Sequence, residues 1–153
     1  MTVKIRDAVV DDVPGIVSLL SQLDLPGEER ERGSDDDAYS RAFAAIAADP
    51  RQSLLVAVDD DDVVGTATLV VIPNLSHGGR PVAQLESVVV DRAWRGTRIG
   101  ERLVDECLAR AQVAGCFRVQ LTSRNERTAA HRFWVRCGFT PTHTGFKQKL
   151  SNT

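Results

Sequence analysis

Cysteine is scarce in this chain: Cys107, Cys116 and Cys137 are odd in number and lack metal-like spacing. Neither a disulfide framework nor a zinc site is expected from them, and each reads as a small core hydrophobe. The four carboxylates Asp59 to Asp62 lack the spaced ligands and glycine of a calcium loop and read as a solvated turn, so no metal is expected. No apolar run approaches the roughly 20 residues that span a bilayer, and the opening Met1–Asp7 alternates like a strand without the apolar stretch of a secretory signal. A cytoplasmic protein without a membrane partner is expected. Excess charge of one sign is missing as well. A formal charge of −2 and an aromatic content of 5% give no basic aromatic strip for nucleic acid, so any anion site must be local. Internal repeats and low-complexity segments are also absent.

What remains is ordinary for one soluble domain over residues 1–153: 42% hydrophobic and 26% charged residues suffice for a single core. Val3 and Ile5 mark a first strand. Asp11 or Asp12 caps a helix that carries Pro14 in its first turn and an apolar stripe of Val13, Ile16, Val17, Leu20 and Leu23. Residues 24 to 37 have loop composition, and their acids Glu28, Glu29, Glu31, Asp35, Asp36 and Asp37 read as a solvated loop. Ala38 to Ala48 is a good helix former stopped by Pro50. Leu54–Val58 and Val63–Ile72 are β-rich runs joined by the aspartate turn, and Pro73 to Pro81, with His77 and Arg80, reads as an exposed connection.

The informative segment is Arg95-Gly96-Thr97-Arg98-Ile99-Gly100, between the strand-like run Leu85–Val90 and an amphipathic helix. Helix-start amides have no intrahelical partner and share the positive end of the helix dipole, so a short loop that gathers them favours an anion. Arg95 and Arg98 add full charges. Ile99, Leu103, Cys107, Leu108 and Ala111 share one helix face, and Gly115 stands where a left-handed residue ends a helix. Phe117, Val119 and Leu121 then alternate with polar residues as a strand does. The loop lacks both the dinucleotide fingerprint and the Lys-Ser/Thr ending of a P-loop.

These residues resemble the acetyl-CoA-binding core of the GNAT superfamily of N-acetyltransferases, whose loop reads Gln/Arg-x-x-Gly-x-Gly/Ala. Arg95 and Gly100 fill its ends, while Arg98 stands at the middle glycine, a position where a side chain fits if its backbone angles are ordinary. A second segment is similar to the family's Asn-then-Ala-x-x-Phe-Tyr-x-x-x-Gly-Phe signature: Asn125, Ala130, Phe133, Gly138 and Phe139 match, and Trp134 replaces the tyrosine. The resemblance implies an α/β fold of GNAT type, with a mixed twisted central sheet flanked by helices and two short strands in the tail from Thr140 to Leu150.

It also implies acetyl-CoA as cosubstrate and direct transfer of its acetyl group to a primary amine, a small-molecule acceptor being preferred to a protein terminus. Backbone groups of Val88, Val89 and Val90 pair with the pantetheine arm in this reading, residues Arg95 to Gly100 hold the pyrophosphate, Asn125 bonds the pantetheine, and Phe133 and Trp134 line the groove. Glu86 is the candidate general base, sharing a strand face with Val88 and Val90 by alternation; the alternative is a solvent-facing acid or a cross-strand partner for a basic residue. Trp134 is no practical proton donor and either packs on the acyl arm or fills the core beside Phe133. The chain's one tyrosine, Tyr39, is far away in sequence, which leaves Cys137, His131 or water to protonate a leaving thiolate. Two alternatives stand beside the main reading: an acyl-CoA-binding sensor without turnover, and an N-acyltransferase that uses a longer acyl-CoA. A homodimer is compatible with the family and has no signature in the residues.

Overall fold

The computed structural model describes residues 2–23 and 36–151. The acids Glu28, Glu29, Glu31 and Asp35 of the expected loop lie outside the described residues; Asp36 and Asp37 instead open a helix. The chain groups into two compact units, Met1–Leu121 and Thr122–Thr153, which are described in turn.

In the first unit, β1 (Val3–Asp7), β2 (Gln52–Asp59), β3 (Asp62–Ile72), β4 (Val82–Val90) and β5 (Val119–Gln120) form a five-stranded sheet in chain order. β1 to β4 are antiparallel neighbours, whereas β5 lies parallel to β4. A parallel neighbour needs a crossover, and helix α3 (Ile99–Val113) supplies it. The β2–β3 hairpin turns on Asp60, whose φ of 52° suits a short carboxylate side chain.

The two sheet faces are covered differently. Leu55, Ala57, Ala67, Leu69 and Leu85 are fully or almost fully buried. On the α3 side, Leu103, Val104 and Cys107 complete that core, and Gly65 sets the approach: a Cβ there would lie 3.0 Å from Leu103 Cδ1 and 3.3 Å from Ile99 Cγ2. The missing side chain therefore lets the first turn of α3 sit directly on β3. The opposite face carries α1 (Val13–Leu20), whose Ile16 packs on Val56 and Val58, while Leu19 and Leu23 pack on Val89. Helix α2 (Asp36–Ala48) lies against β2. Leu19, absent from the expected stripe, is among its most buried members.

Asp12 does not cap α1 by the usual side-chain contact. Its carboxylate turns back to accept from the Val9 amide at 2.8 Å and pairs with the Arg6 guanidinium at 2.6 and 3.0 Å. This ties the start of α1 to β1. At the same end of β1, Arg110 of α3 grips the adjacent Asp7 with bonds of 2.7 and 3.1 Å.

The second unit contains α4 (Thr128–Arg136). Trp134 packs edge-on between Phe133 and Phe139, with ring centroids 5.0 and 5.4 Å away. The two short strands expected in the tail are not formed: residues 139–151 carry no strand. Alternating residues become a strand only where a neighbour accepts their backbone bonds, and the tail is exposed from Thr140 onward, with Phe146 at 94%.

Candidate active site

The site is built around an irregularity in β4. Thr66 faces Val89 and Thr68 faces Glu86, so three steps along β4 match two along β3. The extra residue lies at Ser87, whose φ of 51° is left-handed. Such a bulge bends its strand and re-aims the side chains beyond it. The expectation that Glu86 shares a face with Val88 and Val90 is therefore corrected: Val89 returns to the Glu86 face, the one covered by α1, and Val90 pairs with Gly65 on the α3 side. Strict alternation holds only in an unbulged strand.

Beyond Gln84, three residues before the bulge at Ser87, β4 loses its second neighbour. Its ladder with β3 runs from Val82 to Val90, whereas that with β5 holds only Ala83–Val119 and Gln84–Gln120. The expected strand from Phe117 to Leu121 is cut to Val119–Gln120, although the Phe117 amide and the Arg118 carbonyl still bond to Pro81 and Ala83. Among the described residues, the β5-side edge from Leu85 to Val90 is unpaired by a strand, which leaves the backbone of Val88, Val89 and Val90 open to an extended ligand.

Glu86 itself is exposed and sits at the end of a hydrogen-bond relay that the sequence reading missed. Arg118 Nε donates to Gln120 Oε1 at 3.0 Å, Gln120 Nε2 donates to Gln84 Oε1 at 3.0 Å, and Gln84 Nε2 donates to Glu86 Oε1 at 3.2 Å. A guanidinium only donates and an ionised carboxylate only accepts, so all three bonds can form with just one orientation of the two amides. The signal was present in sequence as the i, i+2 pairs Gln84/Glu86 and Arg118/Gln120, but the register that joins them was not.

Beyond β4, the chain makes a 3₁₀ turn over Arg92–Trp94, capped by Asp91, which accepts from the Ala93 amide at 2.8 Å. Gln22 pins this turn to the end of α1 by accepting from the Arg92 amide at 3.2 Å. Two left-handed residues then steer the chain into α3: Gly96 at φ 80° and Arg98 at φ 66°, ψ 11°. Arg98 thus does not have ordinary backbone angles; it occupies a conformation that favours glycine and costs an L-residue energy. Thr97 Oγ1 donates to the Trp94 carbonyl, holding the turn closed. Arg95, Gly96, Thr97 and Arg98 are exposed, while Ile99 and Gly100 are buried against the sheet.

This end of α3 fits an anion. Arg98 at the N-cap makes no side-chain capping bond, so the first amides of a 15-residue helix lack the partner that a serine or aspartate would supply. Dipole, uncapped amides and the Arg95 and Arg98 guanidiniums together suit a pyrophosphate.

A second feature lies on the Glu86 face: a cavity of about 220 Å³ between α1, α2 and the sheet, reaching Thr68 and Ser87. Thr68 is the direct cross-strand partner of Glu86.

In the second unit, Asn125 is exposed and Phe133 and Trp134 are half-buried in the aromatic group already described. The Ser123 hydroxyl, two residues before Asn125, is buried without a hydrogen-bond partner among the described residues. His131 Nε2 donates to the Arg124 carbonyl at 2.7 Å and so closes the turn before α4. Cys137 is half-buried. Cys107 is inert, because burial pushes its thiol up to about 12. His77 stacks on Phe117 at 3.8 Å and Arg80 donates to the Gly115 and Cys116 carbonyls, so both brace the end of α3.

The Acetyltransferase (GNAT) family model matches residues 19–139. Aminoalkylphosphonate N-acetyltransferase of Salmonella typhimurium is 29% identical over 147 residues, 96% of this chain and 91% of that one. Glucosamine 6-phosphate N-acetyltransferase 1 of rice, Oryza sativa subsp. japonica, is 33% identical over 89% of this chain and 80% of its own length. A solved structure named as a transcriptional regulator from Bacillus halodurans superposes with a TM-score of 0.89 at 33% identity, covering 97% of this chain and all of that one. The chain belongs to the acetyltransferase (GNAT) family. Its mixed sheet is that of the family, and it is an N-acetyltransferase with acetyl-CoA as cosubstrate.

Proposed function

We propose that this chain acetylates the primary amine of a small molecule, with Glu86 as general base and the loop from Arg95 to Gly100 holding the CoA pyrophosphate. The observation that carries this reading is the run from Glu86 to Gly100: an exposed carboxylate beside a cavity, an open strand edge and an uncapped helix end follow one another on a single strand-turn-helix unit. The named relatives act, by name, on small amines, an aminoalkylphosphonate and glucosamine 6-phosphate.

Acetyl-CoA supplies an acetyl thioester; the amine nitrogen forms the new C–N bond and the C–S bond breaks with its electron pair on CoA. An alkyl ammonium must first lose a proton, and Glu86 accepts it directly or through one water. The relay from Arg118 holds the carboxylate in one orientation. Val88, Val89 and Val90 offer backbone groups that align the pantetheine arm and place one amide near the thioester oxygen, where fixed donors act most strongly. The resemblance assigns Asn125 to the pantetheine arm and Phe133 and Trp134 to the lining of its groove. No side-chain acid is required: a thiol of ordinary pKa near 8.5 is a fair leaving group, and water protonates it.

Calorimetric titration with acetyl-CoA, desulfo-CoA and ATP tests the first half of the proposal. Both CoA forms should bind much more tightly than ATP, and Arg95→Ala should weaken both. Glu86→Gln tests the second half, since it should slow transfer mainly below the pKa of the amine and leave acetyl-CoA binding intact. An unchanged rate removes Glu86 as base, and unchanged CoA affinity in Arg95→Ala removes the loop assignment. Transfer to any small amine separates the enzyme from a sensor that only binds.

A further inference from the structure

The cavity beside Glu86 has a wall chemistry that the two phosphorylated or phosphonylated acceptors named above would not match. Its α1 and α2 walls are hydrocarbon, from Ile16, Val17, Leu20, Phe43 and Ile46, and no charged side chain lines it among the described residues. Polar groups are few. The Thr66 hydroxyl is already bound to the Leu55 carbonyl at 2.8 Å, which leaves the hydroxyls of Tyr39, Thr68 and Ser87. Thr68 and Ser87 lie at the sheet end, beside Glu86.

A phosphate moved into such a place would lose its water and, among the described residues, meet no cation, a cost of several kcal/mol. A hydrocarbon body gains instead from every methylene buried there. At roughly 30 Å³ per heavy atom, the share of one water in the liquid, a cavity of about 220 Å³ holds a body of about seven heavy atoms. The α1 stripe from Val13 to Leu20 runs about 10 Å at 1.5 Å per residue, which accommodates an extended chain or one ring and a short linker.

We infer that the acceptor is a primary amine on an uncharged apolar body, an alkylamine or arylalkylamine of about that size, seated in this cavity with its nitrogen at the Thr68–Ser87 end. The inference rests on the reading of Glu86 as the base, because that end of the cavity is where the nitrogen meets the carboxylate. The transfer balances as before: the ammonium gives one proton to Glu86 or water, the C–N bond forms, the C–S bond breaks, and CoA leaves to be protonated by solvent.

The test is kcat/KM for a straight-chain series from ethylamine to octylamine with saturating acetyl-CoA, set against phenethylamine, glucosamine 6-phosphate and aminomethylphosphonate. Each methylene should raise kcat/KM about threefold, mostly through KM, until the cavity is full at roughly six or seven carbons. The two phosphorus-bearing amines should be at least a hundredfold poorer than hexylamine, by about 3 kcal/mol at 1.4 kcal/mol per tenfold. Ala42→Phe, at an exposed α2 position that lines the cavity and tolerates a larger side chain, should move the plateau to shorter amines; Phe43→Ala should lower the gain per methylene.

A flat chain-length series, or preference for a phosphorus-bearing amine, overturns the inference while leaving the acetyltransferase reading intact. If no amine is acetylated, calorimetric binding of hexylamine decides: binding that Ala42→Phe abolishes keeps the cavity assignment and removes Glu86 as base, and absence of binding removes the cavity assignment too.

Discussion

Replacing Arg98 with glycine should stabilise the free protein, an uncommon direction for a substitution in a binding loop. Arg98 holds φ 66°, ψ 11°, a left-handed conformation that costs an L-residue about 1–2 kcal/mol. Glycine adopts it freely but gives up about 0.5–1 kcal/mol of additional chain entropy on folding. The side chain is exposed, so its removal empties no packed volume, and a cation at the N-terminal end of a helix is itself unfavourable by about 0.3–1 kcal/mol. Arg98→Ala isolates the strain, because alanine loses the same charge and keeps the same backbone penalty. Arg98→Gly should therefore exceed Arg98→Ala in stability by roughly 0.5–1 kcal/mol, about 1–4 °C in Tm for a chain of this size. Urea unfolding followed by tryptophan fluorescence without ligand measures both. Both variants should lose CoA affinity together, and lose less of it at high salt, because they lack the same cation. Equal stability of the two variants, or greater stability of Arg98→Ala, would refute the reasoning, since it would mean that position 98 carries no left-handed strain.

Gly65→Ala should cost about 1–3 kcal/mol and weaken CoA binding, because a Cβ 3.0 Å from Leu103 Cδ1 pushes the first turn of α3 off the sheet; calorimetry and denaturation report the two effects separately, and unchanged CoA affinity would show that the helix end is not positioned from β3. The Arg6 guanidinium holds the Asp12 carboxyl below the usual carboxylate range. A depressed pKa stabilises the fold above the unfolded value of about 3.9, and that contribution is lost as pH falls through the folded pKa. Asp12→Asn should therefore destabilise by about 1.5–3 kcal/mol near neutrality, with the gap closing in acid below roughly pH 4; a gap that persists in acid denies the ion pair its role. Gln120→Leu breaks the relay in the middle and should lower kcat severalfold with the KM for acetyl-CoA unchanged, whereas a fall in stability with intact kcat would make the relay merely structural.

The parts of the fold legible in the sequence were those where local pattern and tertiary demand agree. The apolar face of α3, the Asp60 turn and the start of β1 each follow from spacing, because a single period governs the whole element. The site was legible as a set of residue types but not as a geometry. One additional residue at Ser87 breaks the alternation on which the facing of Glu86, Val88 and Val90 was inferred, and nothing in Glu-Ser-Val-Val announces it. The Arg118–Gln120–Gln84–Glu86 relay crosses between strands through residues 36 apart in sequence and depends on a register set by the α3 crossover rather than by those residues. The angles at Arg98 were hidden for the opposite reason: arginine gives no hint of a left-handed backbone, which glycine at that position would have suggested. The tail strands, expected from the resemblance, do not form because a likeness in sequence describes a capacity to pair and supplies no partner strand.

The sheet's short final ladder has a thermodynamic consequence. From Leu85 to Val90 the strand is held by β3 along one edge, and among the described residues no strand pairs with its other edge. A cosubstrate that pairs there acts as a missing strand, and its binding free energy becomes part of the stability of the fold, growing as RT ln(1 + [L]/Kd). With the pantetheine placed along this edge as proposed, the protein is firmest with cosubstrate bound and loosens as CoA departs.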